Sequence, residues 1–587
     1  MIARSRTGLR LVVAVAFLVA LCGFFVPHTS HAATTTQTGA ATSELFPEGK
    51  PYIMRLGATR AKRIARESTL LNEWRKDHPV KNVQVSSDSK DHTWTVSYQG
   101  ADKKTHSQVI IDDKSGRVKE VRTGAQVAWQ MARGYKGAFG RSLTRPIIWI
   151  PLFVLFLVPL IRWRRLISLH TLDLLMLCAF AASLVWFNRG EIETSVPLAY
   201  PPLVYLFLRL LGIGFWRERR SEREESSDRP PLRLRPSLES AFPTWALVSI
   251  MLFALGLRVG LNAFDSNVID VGYAGVIGAD RIEHGQTLYG TFPNDCSQCD
   301  TYGPLTYLSY VPFEKLMPWT GTWNDLPAAH VAATVFDILA LLGLLILGWR
   351  IAGPRLGVGL SLAWATYPFS AYALESNSND SLVAAILAWG LVVAHRPIGR
   401  GMAIAFAAWA KFAPGILLLL WLRHPFPRAG SRKRWPGYLA GLVLATVLSA
   451  WPLLLDGGDG VRRFWSRTMA YQLDRESPFS IWGQHLGLQP VQRAVEVVVV
   501  LIAIVVVARP RALDLRRFAA LSAALLIGLQ IAMPHWFYLY IPWFLPCALV
   551  AMVPTWRVVH DVREPAPAGD QVATGEPEAG PEQLAPA

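Results

Sequence analysis

The stretch AAHVAATVFDILALLGLLILGWR, residues 328–350, decides the fold. It carries a single carboxylate, Asp337, and as a helix it spans roughly 34 Å, enough to cross a ~30 Å hydrocarbon core. Apolar runs of roughly 16–22 residues recur along the chain. Across the 587 residues, 51% are hydrophobic and only 17% charged, where soluble domains carry roughly 25% charge. Mean hydropathy is +0.26. A soluble enzyme is excluded, and so is a transmembrane barrel, whose strands would be ~10 residues of alternating polarity. The chain reads as a polytopic α-helical membrane protein.

Lys and Arg number 59 against 43 acidic residues, a formal charge of +16. In a soluble protein that excess suggests nucleic acid. Here the basic residues cluster just beyond apolar spans, at Arg162, Arg164 and Arg165, at Arg217, Arg219 and Arg220, at Arg432, Lys433 and Arg434, and at Arg509, Arg511, Arg516 and Arg517. That is the positive-inside pattern of an oriented membrane protein. The expected partner is the lipid bilayer, with no nucleic acid.

Residues 1–32 read as a signal peptide: Arg4, Arg6 and Arg10 precede an apolar stretch, and Ser30 and Ala32 supply the small residues of a cleavage site. An uncleaved anchor is the alternative. Residues 34–143 read as a small extracytoplasmic α+β domain, with a helix over 58–74, strands near 83–85, 93–98, 108–112 and 118–121, and a last helix over 125–135. Residues 145–241 form accessory spans (145–162, 168–187, 195–216) and a basic cytoplasmic loop. Residues 242–555 form the main membrane module, with spans at 242–262, 328–350, 355–374, 380–395, 437–455, 488–508, 518–533 and 536–553. Basic residues flank both ends of 401–422, so that segment is expected to enter and leave from the cytoplasmic side as a re-entrant pair of half-helices. The total is about eleven spans plus that pair. The Pro/Ala/Glu-rich tail, 563–587, is expected to be disordered and cytoplasmic. The assignment is a multi-pass protein of the plasma membrane.

Loop 264–328 concentrates acid: Asp265, Asp270, Asp280, Glu283, Asp295 and Asp300 against Arg281 and Lys315. Carboxylates just past a span, with several aromatics, suit an active-site loop, although a solvated outer loop has the same charge bias. The order of motifs is more telling. D-x-x-Y (Asp270, Tyr273) is followed by G-x-x-L-Y-G (Gly285 to Gly290), Y-G-P-L (Tyr302 to Leu305) and P-F (Pro312, Phe313). Further on come ESNSND (375–380), AFAAWAKFAPGILLLL (405–420) and MPHWFYLYIPWFLP (533–546).

Together these resemble the C-type (GT-C) glycosyltransferases, and are most similar to glycosyltransferase family 87, the polyprenol-phosphate-mannose-dependent mannosyltransferases. The resemblance covers roughly 242–555. It implies a GT-C-like fold, a polyprenyl-phosphate sugar as donor substrate with no further cofactor, and a catalytic carboxylate in the first outer loop. The acceptor would be an extracytoplasmic glycan, glycolipid or protein, and the sugar mannose or another hexose or pentose. Asp270 matches the family's position for the general base, with Asp265 next; capping of the helix that starts near Val271 is the structural alternative for Asp270. Tyr273 and Tyr302 fall in the matched motifs as substrate contacts. Separately, IIDDKSGRVKEVR (110–122) resembles a PepSY domain.

A lipid-phosphate leaving group needs cations. Arg462, Arg463, Arg467 and Arg475, with His485, are candidates for a phosphate cradle, unless Asp456, Asp459, Asp474 and Glu476 pair with them. His535, beside an aromatic cluster, is another phosphate candidate. Asn377, Asn379 and Asp380 either cap a span or contact sugar hydroxyls. Lys411 is expected to snorkel to the cytoplasmic face, and Asp173 and Asp337 to be paired within the membrane. Cys296 and Cys299, an exported C-x-x-C, are expected to form a disulfide, and no metal site is expected. A transporter or flippase for a lipid-linked or polar substrate, and a sensor or scaffold read out by residues 34–143, are the competing functions.

Overall fold

A computed structural model describes residues 53–559, apart from 77, 90, 135–140, 216–232, 424–434, 474–476 and 509–512. The signal segment, the arginine clusters at 217–220 and 432–434, Arg475 and the C-terminal tail therefore lie outside the described residues. The chain divides into two compact units. The smaller takes residues up to 73, Val83–Ser97 and Val109–Glu120, and the larger takes the rest.

The N-terminal segment opens with α1 (Ala58–Arg66) and α2 (Thr69–Arg75). The single helix expected over 58–74 is broken, because Asn72 Nδ2 donates to the Arg66 carbonyl at 2.8 Å and a side chain replaces the helical N–H there. Strands β1 (Asn82–Asp88), β2 (Thr93–Gln99), β3 (Thr105–Asp112) and β4 (Val118–Thr123) form a sheet of order β1-β2-β3-β4. The turn between β3 and β4 is the expected Lys114-Ser115-Gly116, closed by Asp112, whose carboxylate accepts from the Ser115 amide at 2.7 Å. Those hydrogen bonds from Ser115 hold the Asp112 carboxyl below its usual range. The buried Asp113 ties this unit together, accepting from the amides of Arg55 and Leu56 and from the Trp94 indole at 2.7–2.8 Å. The last helix expected here is reduced to Ala125–Ala128 and a 3₁₀ turn, Gln130–Arg133.

The larger unit is a helical bundle. Its first helices are α3 (Pro146–Leu160), α4 (Leu169–Asn188), α5 (Ile192–Phe215) and α6 (Thr244–Asp265). Then come α7 (Asp270–Glu283), α8 (Pro304–Leu316), α9 (Pro327–Ala352), α10 (Pro354–Thr366), α11 (Pro368–Glu375) and α12 (Asp380–Val392). The remainder is α13 (Pro397–Ala410), α14 (Leu418–Leu422), α15 (Trp435–Ala450), α16 (Gln489–Ala508), α17 (Leu515–Ala532) and α18 (Ile541–Met552). Among the described residues seven helices are long and apolar enough to cross a membrane, and four shorter apolar helices accompany them. The chain is a multi-pass membrane protein. Strand β5 (Arg233–Ser237) pairs antiparallel with β6 (Thr555–Val559), a pairing with no signal in the apolar pattern.

Local sequence dictates where the helices stop. Gly353, at φ +88°, terminates α9 with its amide on the Trp349 carbonyl, and Pro354 begins α10 at once. The expected span 355–374 is likewise two helices, because Pro368 has no N–H to offer. The carbonyls so freed are taken by Arg258 on α6, which donates to Trp364 and Ala365 at 3.0 and 3.2 Å, and by the Ser370 hydroxyl. Arg258 also pairs with Asp337 at 2.8 Å, while Asp173 pairs with Arg209 at 3.0 Å, so both intramembrane carboxylates have the partners expected of them.

Residues 397–422 fold back on themselves. α13 ends at Lys411, whose backbone is extended, and a 3₁₀ turn (Ala413–Leu417) with α14 returns the chain until Arg400 Nε donates to the Trp421 carbonyl at 2.9 Å. Lys411 thus stands at the tip of a helical hairpin.

Candidate active site

The sequence between α6 and α9, expected to be an outer loop, is largely helical. Asp270 is the first residue of α7, and Ile269 stands at the N-cap, so Asp270 occupies the first turn, where a carboxylate complements the helix dipole. Its side chain is exposed. α7 lies beside α8, which begins in the Y-G-P-L motif. A Cβ on Gly303 would come within 1.8 Å of the Trp409 carbonyl, so only glycine lets α8 approach the hairpin so closely. Pro304 fills the first helical position of α8. The Thr306 hydroxyl then donates to the Ala410 carbonyl at 2.7 Å, satisfying the broken end of α13.

This contact brings the hairpin tip to Asp380, the first residue of α12. Lys411 Nζ lies 2.5 Å from Asp380 Oδ1, and the Trp543 indole of α18 donates to the same oxygen at 2.7 Å. Asp380 is fully buried and Lys411 8% exposed. The ammonium also sits 5.3 Å from the ring centres of both Tyr302 and Trp543. The expectation that Lys411 snorkels away is corrected: the helix breaks at the lysine, so the charge emerges at the tip among polar partners. Asp380 Oδ2 is buried without a hydrogen-bond partner among the described residues.

A cavity of about 720 Å³ opens onto these groups. Asp270, Asp380, Lys411, Tyr302 and His535 all line it, with Trp543, Tyr540 and Phe537 from the MPHWFYLYIPWFLP motif. Trp129 and Met131, from the segment that leads into the bundle, form part of the wall. Trp129 packs edge-on against Phe479 and lies 6.3 Å from the His535 ring. His535 Nδ1 is 2.6 Å from the Ser477 hydroxyl. An exposed carboxylate, a buried carboxylate–ammonium pair and an aromatic, mostly apolar lining suit an amphiphile with an anionic group and a hydroxylated head.

The remaining sequence candidates among the described residues do not line the cavity. Asp265 accepts from the Ser142 amide at 3.0 Å and anchors the chain entering α3. Tyr273 is buried against Trp319 and Trp323, with its hydroxyl on Asp295; burial, and then the Asp295 charge, push that phenol up to about 12. Asn377, at φ +48°, pins α6 to the turn before α12, donating to Ser266 and the Asn267 carbonyl and accepting from Asn262. Asn379 reaches Thr306 at 3.5 Å. Arg467 is held by Asp300 at 2.5–3.0 Å, and those hydrogen bonds raise its pKa further. Arg462 pairs with Asp459. Arg463 and the exposed His485 lie off the cavity. Among the described residues Asp456 pairs with no arginine; it accepts from the Leu288 amide at 2.7 Å and so holds the G-x-x-L-Y-G turn. Cys296 and Cys299 are disulfide-bonded.

Residues 301–561 match the family model of glycosyltransferase family 87. The protein is a membrane glycosyltransferase of GT-C type. The family 87 match takes in Tyr302, Asp380, the hairpin with Lys411, and His535, and begins downstream of Asp270. No curated protein and no solved structure matches the chain.

Sequence reasoning missed Lys411, Trp543 and Trp129. A lysine inside an apolar run is a signal in its own right, since intramembrane charge is retained where it does work. The indoles carried none.

Proposed function

We propose that this glycosyltransferase moves a sugar, mannose or another hexose or pentose, from a polyprenyl-phosphate donor to an extracytoplasmic glycan, glycolipid or protein acceptor. The observation that carries the reading is the single cavity shared by Asp270 and the Asp380–Lys411 pair. In this reaction the acceptor oxygen bonds to the anomeric carbon as the carbon–oxygen bond to phosphate breaks. The electron pair leaves on polyprenyl phosphate, and the acceptor proton passes to Asp270. Asp270 suits a base because it is exposed and can release the proton to water. Asp380 does not, since Lys411 and Trp543 already occupy one of its oxygens. Lys411 supplies the cation for the leaving phosphate, and the second Asp380 oxygen accepts from a sugar hydroxyl. The aromatic wall receives the first isoprene units and excludes water.

Membranes bearing the protein, supplied with radiolabelled polyprenyl-phosphate mannose or arabinose, test this directly. Label entering a glycan, glycolipid or protein fraction from one donor supports the reading. Transport of donor without transfer would replace it with a flippase.

A further inference from the structure

A second cavity, of about 300 Å³, lies at the other chemistry-bearing cluster of the bundle, where the ends of α3, α4, α17 and α18 meet α5 and β6. Arg162, Arg165, Arg209 and Arg516 line it, with Thr555 and Trp556 of β6. Asp173 is the one carboxylate in its lining, and it is committed to Arg209 and to the Tyr205 hydroxyl at 2.8 Å. Arg162 leans on Glu239 at 3.5 Å. Arg516 donates through Nε to an uncharged partner, the Ala551 carbonyl, at 3.2 Å. The cavity therefore carries surplus positive charge on Arg165 and Arg516. The Thr555 hydroxyl and the Trp556 indole N–H are shielded from water and have no hydrogen-bond partner among the described residues. His170 braces the wall, its two ring nitrogens 2.9 and 3.1 Å from the carbonyls of Leu160 and Met552.

From this we infer an anion site that binds a phosphate-bearing group in the pocket of Arg162, Arg165, Arg209 and Arg516. Buried donors left unpaired are unfavourable, and phosphate oxygens are strong acceptors that answer hydroxyl, indole and guanidinium together. The position at helix ends, on the face where basic clusters gather, is where bundles take anionic lipid headgroups. A free phosphate offers the same oxygens, so the two sources are separated by experiment. The site is distinct from the transferase cavity and does not depend on the donor assigned above.

The test uses the full-length protein in neutral detergent, with phosphatidylglycerol, phosphatidylcholine or inorganic phosphate added, read by thermal unfolding and by lipid retained in native mass spectrometry. Arg165→Gln changes an exposed side chain, and Trp556→Phe removes the indole donor while keeping an aromatic ring. Phosphatidylglycerol is expected to raise the unfolding midpoint and phosphatidylcholine not to. Arg165→Gln should weaken retention about fivefold, and the double variant more, with the midpoint in detergent alone unchanged. Protection by inorganic phosphate that competes with phosphatidylglycerol would assign the site to free phosphate. Equal phosphatidylglycerol binding by wild type and both variants, or no response to either probe of net negative charge, phosphatidylglycerol or inorganic phosphate, overturns the site.

Discussion

Lys411 and Asp380 are a buried pair whose members stand 31 positions apart, and the pair explains how a charged side chain persists in an apolar segment. Truncating one partner of a buried pair costs ~3–5 kcal/mol, whereas replacing both with neutral groups is far milder. Lys411→Met alone should therefore lower stability by about that amount, and Lys411→Met with Asp380→Asn should restore most of it. The double variant should still bind the donor poorly, with its KM raised at least about tenfold, because the phosphate has lost its cation. Unfolding midpoints beside donor titrations would separate the two effects. The same logic applies to Arg258 and Asp337, which are both buried and also serve the carbonyls at the Pro368 break. Arg258→Met should destabilise by roughly 3–5 kcal/mol in chemical unfolding, with Asp337→Leu partly compensating.

At the level of elements, the hairpin 397–422 and the pair α7–α8 matter most, since they carry Lys411 and Asp270 to one cavity. Gly303 sets their approach. Gly303→Ala would drive a methyl into the Trp409 carbonyl, and a shift of about 1 Å at the tip should lower turnover by roughly 10²-fold with the protein still folded. Normal turnover in that variant would mean that the hairpin does not position the site. The hairpin was legible in the sequence from the basic residues at both of its ends. The start of α7 was legible as well, near Val271; α8 was not, because its face carries tyrosines rather than a plain apolar stripe, and its burial depends on non-local rings. Likewise, charge counts offered Arg467 as a phosphate ligand, but its partner Asp300 lies 167 residues away, and one-dimensional patterns do not report such pairings. Long apolar runs marked the helical membrane class, and the motif order pointed to the family whose model matches residues 301–561. Tertiary choices, such as Asn377 acting as a pin and Asp380 pairing with Lys411, needed coordinates.

For the whole molecule, the distribution of basic residues predicts an orientation for the bundle that is open to test. Asn324→Cys, near the cavity-forming helices, should react with a membrane-impermeant thiol reagent in intact cells. Arg164→Cys, in the basic cluster, should react only after permeabilisation. Of the described native cysteines, Cys296 and Cys299 are bonded and Cys547 is buried, so replacing the half-buried Cys178 by Ser leaves little background. Reaction of both sites in intact cells would break the orientation and, with it, the extracytoplasmic acceptor. The central claim is narrower: the Asp270 carboxylate takes the acceptor proton. Asp270→Asn keeps the size of the side chain and much of its hydrogen bonding. Single-turnover transfer from bound, labelled polyprenyl-phosphate sugar should then slow by roughly 10²–10⁴-fold, while donor affinity and the unfolding midpoint stay near wild type. Wild-type transfer rates in a well-folded Asp270→Asn protein would contradict the account.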